Sequence, residues 1–81
     1  MVEVTIHKDE RMMTRAEAAA DLRRLADELE AGVISYSGGG SLPVPERLER
    51  EIEIEREDRG TTVKYEVEVE LEWSTTEGGS A

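Results

Sequence analysis

The feature that most constrains the fold is an alternation of charged and apolar residues near the carboxyl-terminal end of the chain. From 48 to 57 every second residue is glutamate, and from 63 to 73 charged residues alternate with apolar ones that end at Trp73. Residues 58 to 62 lie between these segments and include Gly60, which suits a tight turn. Because successive side chains of a strand point to opposite faces, this period predicts a β-hairpin with one apolar face and one glutamate face.

An amphipathic helix is predicted from 15 to 31. Thr14 and Glu17 match a capping box, in which the threonine hydroxyl accepts a hydrogen bond from the backbone of Glu17 and the glutamate accepts one from the backbone of Thr14. Gly32 stands where the helix needs a left-handed residue to end. One apolar stripe runs along the helix, formed by Ala18, Leu22, Leu25 and Leu29.

Three shorter strands complete the predicted fold. Residues 2–6 alternate valine and isoleucine with polar residues, and residues 33–37 and 41–45 flank a run of glycines. Two prolines in the last segment restrict it to an edge strand or an irregular segment, because proline cannot donate to a ladder. The sequence therefore predicts an α+β fold, with one amphipathic helix packed on a mainly antiparallel sheet of four to five strands. This single domain is expected over residues 1–73, with a disordered tail over residues 74–81.

The charge of the chain excludes several classes of partner. Its 81 residues include 20 acidic and 10 basic ones, which gives a formal net charge of −10. Because the basic residues are scattered, the resulting field repels phosphate backbones and anionic lipids, and we expect no nucleic-acid and no membrane partner. The chain has no cysteine, which excludes a thiolate nucleophile and a cysteine-based metal site. Its first residues lack the pattern of a signal peptide, so a cytoplasmic location is expected.

The glutamates of the predicted hairpin are expected to form a solvated face. In any antiparallel register that places the isoleucines of one strand beside the valines of the other, the glutamates of both strands also share a face. Like charges directly opposite each other destabilise a sheet. Molar salt removes most of that cost, because the Debye length falls to ~3 Å. We therefore favour a face adapted to salt, in a halophilic protein, over a cation-binding surface or an acidic docking face.

Two further patterns resemble functional motifs. His7 is the only histidine, and without a Ser-His-Asp or Cys-His arrangement it is interpreted as an exposed polar residue rather than as an acid, a base or a metal ligand. The run from 38 to 41 lacks the Gly-Lys-Ser/Thr ending of a phosphate loop, so it is interpreted as a flexible turn. No cofactor and no catalytic residue is expected.

The helix and the hairpin together resemble the amphi-Trp domain, a family named for an amphipathic strand that closes on a tryptophan. The resemblance rests on the run from Thr14 to Ala19 that leads into the leucine stripe and Gly32, on Val44-Pro45, and on the ending Glu70-Leu71-Glu72-Trp73. It covers about residues 14 to 73. The resemblance implies a small stand-alone protein, of a kind common in halophiles, with no activity that can be carried over.

For function, the sequence favours a non-catalytic protein–protein interaction module that binds a protein partner or itself. The candidate contact residues are Trp73, Tyr36, Met12 and Met13. Trp73 shares its strand face with Tyr65, and a place for Trp73 in the core beneath the helix is favoured over a place in an interface. The alternative is a module that binds a small ligand or a cation through residues 33 to 45. An enzyme is the least favoured class, because no nucleophile, thiol, metal cluster or cofactor loop can be identified.

Overall fold

The computed structural model describes residues 1–76, which form one α-helix and four β-strands. The chain divides into two compact units, Met1–Val44 and Pro45–Ala81, and its strands pair in two separate two-stranded antiparallel sheets. The α+β class is confirmed, whereas the expected single sheet of four to five strands is wrong. The assignment of residues 1–73 to one domain stays a prediction. Of the predicted tail over residues 74–81, the first three residues are exposed without regular structure, and the others lie outside the described residues.

The helix, α1, spans Arg15–Ala31 as predicted. The backbone N–H of Glu17 donates to Oγ1 of Thr14 at 3.1 Å, and the backbone N–H of Thr14 donates to Oε1 of Glu17 at 2.9 Å. This reciprocal pair satisfies two donors that the start of a helix leaves unpaired. Gly32 ends the helix with a φ of 89°, and its N–H donates to two carbonyls of the last turn. Both predicted ends of the helix are confirmed.

A short hairpin follows the helix and belongs to the same unit. Its strands are β1 (Val33–Tyr36) and β2 (Gly40–Pro43). The backbone N–H of Ser35 donates to Oε1 of Glu28 at 2.7 Å, which ties β1 to the helix. The two strands predicted between residues 33 and 45 are confirmed, and β2 ends at a proline as an edge strand allows.

The strand predicted over residues 2–6 is wrong, because residues 1–14 have no regular structure. Its alternation suits a strand, but a strand forms only where its backbone pairs with a neighbour. At the free edge of β1 the N–H of Ser35 is already bonded to a helix side chain, and β2 ends in Pro43, which has no N–H to donate. Val4 and Ile6 of this segment instead line an open cleft beside β1 and β2.

A long hairpin forms the second unit. Its strands are β3 (Glu49–Arg59) and β4 (Thr62–Glu72). Gly60 is the first of the two turn residues and has a φ of 63°, a left-handed conformation that glycine adopts without strain in turns of type II′. The hydroxyl of Thr62 donates to the carbonyl of Arg59 across the turn at 3.3 Å. The predicted hairpin is confirmed, and its strand ends differ from the prediction by one or two residues.

None of the described residues is buried. On the helix stripe Leu25 and Leu29 are half-buried, and Leu22 is exposed. Trp73 is also half-buried, and its expected place in a core beneath the helix stays a prediction. The packing of the helix on the apolar face of the long hairpin stays a prediction. A small domain is stabilised chiefly by the apolar surface that it buries. The exposed apolar side chains of this chain are therefore candidates for contacts with other molecules.

Candidate functional site

The apolar face of the long hairpin is a continuous exposed surface. Ile52 lies opposite Val69 and Ile54 lies opposite Val67 in the ladder. Ile54 is 72% exposed, Tyr65 is 70% exposed and Val67 is 65% exposed. The full set, called the apolar face below, comprises Ile52, Ile54, Val63, Tyr65, Val67, Val69 and Leu71. An isolated two-stranded hairpin is at best marginally stable in water, so this face is expected to be covered by another surface in solution.

Charged residues flank the apolar face at both ends. Near the turn, Nε and Nη2 of Arg56 each lie 3.0 Å from Oδ1 of Asp58. Arg56 lies opposite Tyr65 in the ladder, and at the other end of the hairpin Arg50 lies opposite Leu71. Because Arg56 and Asp58 neutralise each other, the turn end of the apolar face carries no net charge.

The opposite side of the hairpin carries four pairs of glutamates in direct register. These pairs, called the glutamate face below, are Glu49 with Glu72, Glu51 with Glu70, Glu53 with Glu68, and Glu55 with Glu66. The facing of glutamates that the alternation predicts is therefore confirmed. The turn end of this side differs, because Glu57 lies opposite Lys64 and is bonded to the guanidinium of Arg59.

Mutual repulsion on the glutamate face favours protonated carboxyls. A hydrogen bond shared with the side chain of Glu55, together with the charge of that residue, raises the pKa of Glu53 to about 7. The charge of Glu66 raises the pKa of Glu68, and the carboxylate directly across the ladder does the same for the pKa of Glu70. Protons and cations relieve the same repulsion, so the stability of the hairpin is linked to both pH and salt concentration.

A second candidate site lies in the first unit, where three solvent-open clefts meet at His7 and Tyr36. Their volumes are about 370, 340 and 260 Å³. The centroids of the two rings are 5.9 Å apart, and Nδ1 of His7 lies 3.4 Å from Oγ of Ser37. His7 is exposed as predicted. The position of His7 beside Tyr36 could not be predicted from the sequence, because it depends on the path of an irregular segment.

The family model for the Amphi-Trp domain matches residues 1–81. The chain belongs to the amphi-Trp domain family. The match extends on both sides of residues 14 to 73, which carry the resemblance in the sequence. No curated protein and no solved structure matches the chain. Because membership of the amphi-Trp family assigns no activity, the function must be inferred from the surfaces of this chain.

The four candidate contact residues of this amphi-Trp chain lie in different settings. Tyr36 is half-buried beside His7, and Trp73 is half-buried one residue beyond the end of β4. Met12 and Met13 are exposed in the irregular segment before the helix, and neither lines the three clefts around Tyr36. The assignment of these four residues as partner contacts stays a prediction.

Sequence reasoning did not select the apolar face as a site, although it predicted the strands that form it. Alternation indicates an amphipathic strand, but it does not indicate what covers the apolar side. Among residues 1–76, no group of three or more histidine, cysteine, aspartate or glutamate side chains is arranged to hold a metal ion. In the same part of the amphi-Trp chain, no helix is long and apolar enough to cross a membrane.

Proposed function

We propose that this amphi-Trp chain is a non-catalytic protein-interaction module that associates with a second copy of itself through the apolar face. One observation carries the proposal, which is the exposure of six large apolar residues on a single side of the long hairpin: Ile52, Ile54, Val63, Tyr65, Val67 and Val69. Contiguous exposed apolar surface marks interaction sites, because its burial contributes about 25 cal/mol for each Å² removed from water.

The glutamate face determines which side of the hairpin takes the partner. A second copy brought against that side would add four more glutamate pairs to the four already present, and like charges brought together across an interface oppose association. Association through the apolar face leaves both glutamate faces in water. The charge pattern therefore favours one orientation of the hairpin in a dimer.

The apolar face is complementary to a second copy of itself. Packed sheets keep their strand directions within ~30° and lie ~10 Å apart. A twofold axis parallel to the strands places β3 of one copy over β4 of the other, so that the isoleucines of one chain meet the valines of its partner. The same axis places Arg56 over Tyr65 of the second copy, where a guanidinium and an aromatic ring attract each other.

The size of the apolar face sets the expected affinity. Each strand has 11 residues, so the hairpin is ~36 Å long and, with two strands, ~10 Å wide. The projected area of ~360 Å² is smaller than the ~800 Å² that each partner contributes to a standard interface. We therefore expect a dimer that dissociates in the micromolar range or above, and more readily in dilute buffer, because each chain carries a net charge of −10.

Sedimentation velocity in molar potassium chloride tests the proposal. The wild-type chain is expected to shift from its monomer mass of 9.1 kDa to twice that mass as its concentration rises. The double variant Ile54→Ser/Val67→Ser changes two register partners on the apolar face and is expected to remain monomeric. The matched control Glu55→Ser/Glu66→Ser changes the adjacent register pair on the glutamate face and is expected to dimerise at least as well as the wild type.

Circular dichroism of each variant separates loss of the interface from loss of the fold. A wild-type chain that remains monomeric at ~1 mM in molar salt would refute self-association, because its dissociation constant would exceed ~1 mM and its binding free energy would be less than ~4 kcal/mol. If both double variants lost the dimer to the same extent while keeping their secondary structure, the choice of the apolar face would be refuted. If the chain proved to be a folded monomer that binds a different protein through the apolar face, that protein would be the partner in place of a second copy.

A further inference from the structure

One of the clefts around His7 and Tyr36 has more basic than acidic side chains in its lining, on a chain that is otherwise strongly acidic. Three of the ten basic residues line the cleft of about 370 Å³, namely Lys8, Arg11 and Arg24, and one acidic residue, Asp9, lines it with them. Ser35 and Ser37 line the same cleft. A gathering of cations on a chain of net charge −10 is opposite to the overall field, so it offers a local site for an anion.

The neighbouring cleft of about 340 Å³ has an apolar lining. Val4 and Ile6 from the irregular segment face Ile34 and Leu42 from the short hairpin across it. His7 and Tyr36 line both this cleft and the cationic one. The two environments are therefore adjacent, with an aromatic side chain at their boundary, which is the arrangement that small-molecule sites use to combine affinity with orientation.

The tyrosine at this boundary is positioned by the pairing of β1 with β2. Tyr36 is the register partner of Gly40, and its ring lies so close to that glycine that an added Cβ would overlap it. His7 lies beside this tyrosine, with its ring near the ring of Tyr36 and its Nδ1 near Oγ of Ser37. The absence of a side chain at position 40 thus leaves room for the ring at the meeting point of the clefts.

The basic residues of the cleft keep donors that are free to bind a ligand. Nη2 and Nε of Arg24 lie 3.7 and 3.9 Å from the carboxylates of Asp21 and Glu28, distances too long for hydrogen bonds. Arg11 is paired at 3.2 Å with Asp9 of the same cleft, so the cationic excess of the cleft is carried by Lys8 and Arg24. A guanidinium has five N–H donors, so each arginine retains several. Lys8 forms no ion pair with any other described residue.

We propose that these clefts bind a small organic anion in which a carboxylate is joined to an aromatic or branched aliphatic group. The carboxylate contacts Arg24 and Lys8, because guanidinium and ammonium groups bind carboxylates through charge-assisted hydrogen bonds. The apolar part lies against Tyr36 and Ile34. The site includes part of the region between residues 33 and 45, but its charge favours an anion rather than a cation. The proposal does not depend on the apolar face of the long hairpin.

Titration of the ¹⁵N-labelled full chain, followed by amide chemical shifts, tests the proposal with three probes. Phenylacetate has both the charge and the ring, acetate lacks the ring, and phenylacetamide lacks the charge. We expect phenylacetate to bind at least ~5-fold more tightly than either of the others. The largest shifts are expected at His7 and from Ser35 to Ser37.

Two substitutions and a matched control locate the binding site. Arg24→Gln and Tyr36→Ala are each expected to weaken phenylacetate binding at least ~5-fold. Arg23→Gln changes the adjacent helical arginine, which lines none of the three clefts, and is expected to leave the affinity unchanged. Circular dichroism shows whether each variant keeps its helix.

Several results would overturn the proposal. Equal affinities for phenylacetate and phenylacetamide would show that the charge is not recognised. Shifts confined to residues 49–72 would place binding on the long hairpin, and the variant Ile54→Ser/Val67→Ser would then lose binding instead of retaining it. If Arg23→Gln weakened phenylacetate binding as much as Arg24→Gln, the site would not lie at the clefts. The same would follow if phenylacetate at ~50 mM, a concentration that occupies even a very weak site, caused no chemical-shift change.

Discussion

Lowering the pH from about 8 to about 5 is expected to stabilise the long hairpin, because Glu53 lies in a field of carboxylates. The residues that surround it are Glu51 and Glu55 along β3, Glu68 directly across the ladder, and Glu66 and Glu70 on the diagonals. The hydrogen bond with Glu55 and its charge raise the pKa of Glu53 to about 7, from an ordinary value of 4.5. Protonation of one carboxyl therefore relieves repulsion with several neighbours.

The sign of the effect follows from the direction of the pKa shift. A carboxyl with a raised pKa in the folded state binds more protons in the folded chain than in the unfolded chain. The resulting stability is complete below the unfolded pKa of 4.5 and is lost as the pH rises through the folded pKa of about 7. Between these two values the cluster around Glu53 takes up protons when the chain folds. The raised pKa of Glu68 and of Glu70 adds uptake of the same sign.

One described carboxylate acts in the opposite direction. The hydrogen bond from the backbone of Thr14 lowers the pKa of Glu17. Its contribution to stability is present above the unfolded pKa and is lost as the pH falls through the folded one. Measurements above about pH 5 therefore separate the two effects, because Glu17 stays ionised there in the folded and mostly in the unfolded chain.

Denaturant unfolding followed by circular dichroism, repeated at several pH values between about 5 and 8, measures this linkage as the slope of the unfolding free energy against pH. The variant Glu53→Gln/Glu68→Gln is expected to lose most of the slope and to be more stable than the wild type at pH 8. The matched control Glu57→Gln removes a carboxylate that faces Lys64, so it is expected to keep the slope without a gain in stability. Molar salt should flatten the slope, because the Debye length falls to ~3 Å. If the free energy of unfolding of the wild type stayed constant or increased as the pH was raised from about 5 to about 8, the reasoning would be refuted.

Two further predictions concern the helix start and Trp73. Thr14→Ala is expected to lower the free energy of unfolding by about 1 kcal/mol, because the N–H of Glu17 loses its partner. Thr14→Ser keeps the hydroxyl and should retain most of the stability. If denaturant unfolding showed the same loss of stability in both variants, the capping role would be contradicted. Trp73 shares the strand parity of Leu71 on the apolar face, so Trp73→Ala is expected to keep its secondary structure in molar salt but to sediment as a monomer where the wild type dimerises. A Trp73→Ala chain that unfolds, or that dimerises normally, would contradict this assignment.

The elements whose causes are local could be predicted from the sequence. The helix ends at Thr14 and Gly32 follow from a side-chain cap and a left-handed glycine, each of which acts within one turn. The long hairpin follows from two period-two segments around a turn at Gly60. Its register then places glutamate opposite glutamate, because side chains alternate between the two faces in both strands at once.

Other features were decided only by the tertiary structure. The segment over residues 2–6 has the alternation of a strand but forms none, because pairing requires an available edge, and no local pattern indicates whether an edge is free. The alternation predicts the apolar face, but it does not indicate which surface covers that face. Burial depends on which other surface covers a face, and that is a property of distant parts of the chain or of another molecule. For the same reason the meeting of His7 with Tyr36 could not be predicted, since it follows from the path of a segment that forms no regular structure.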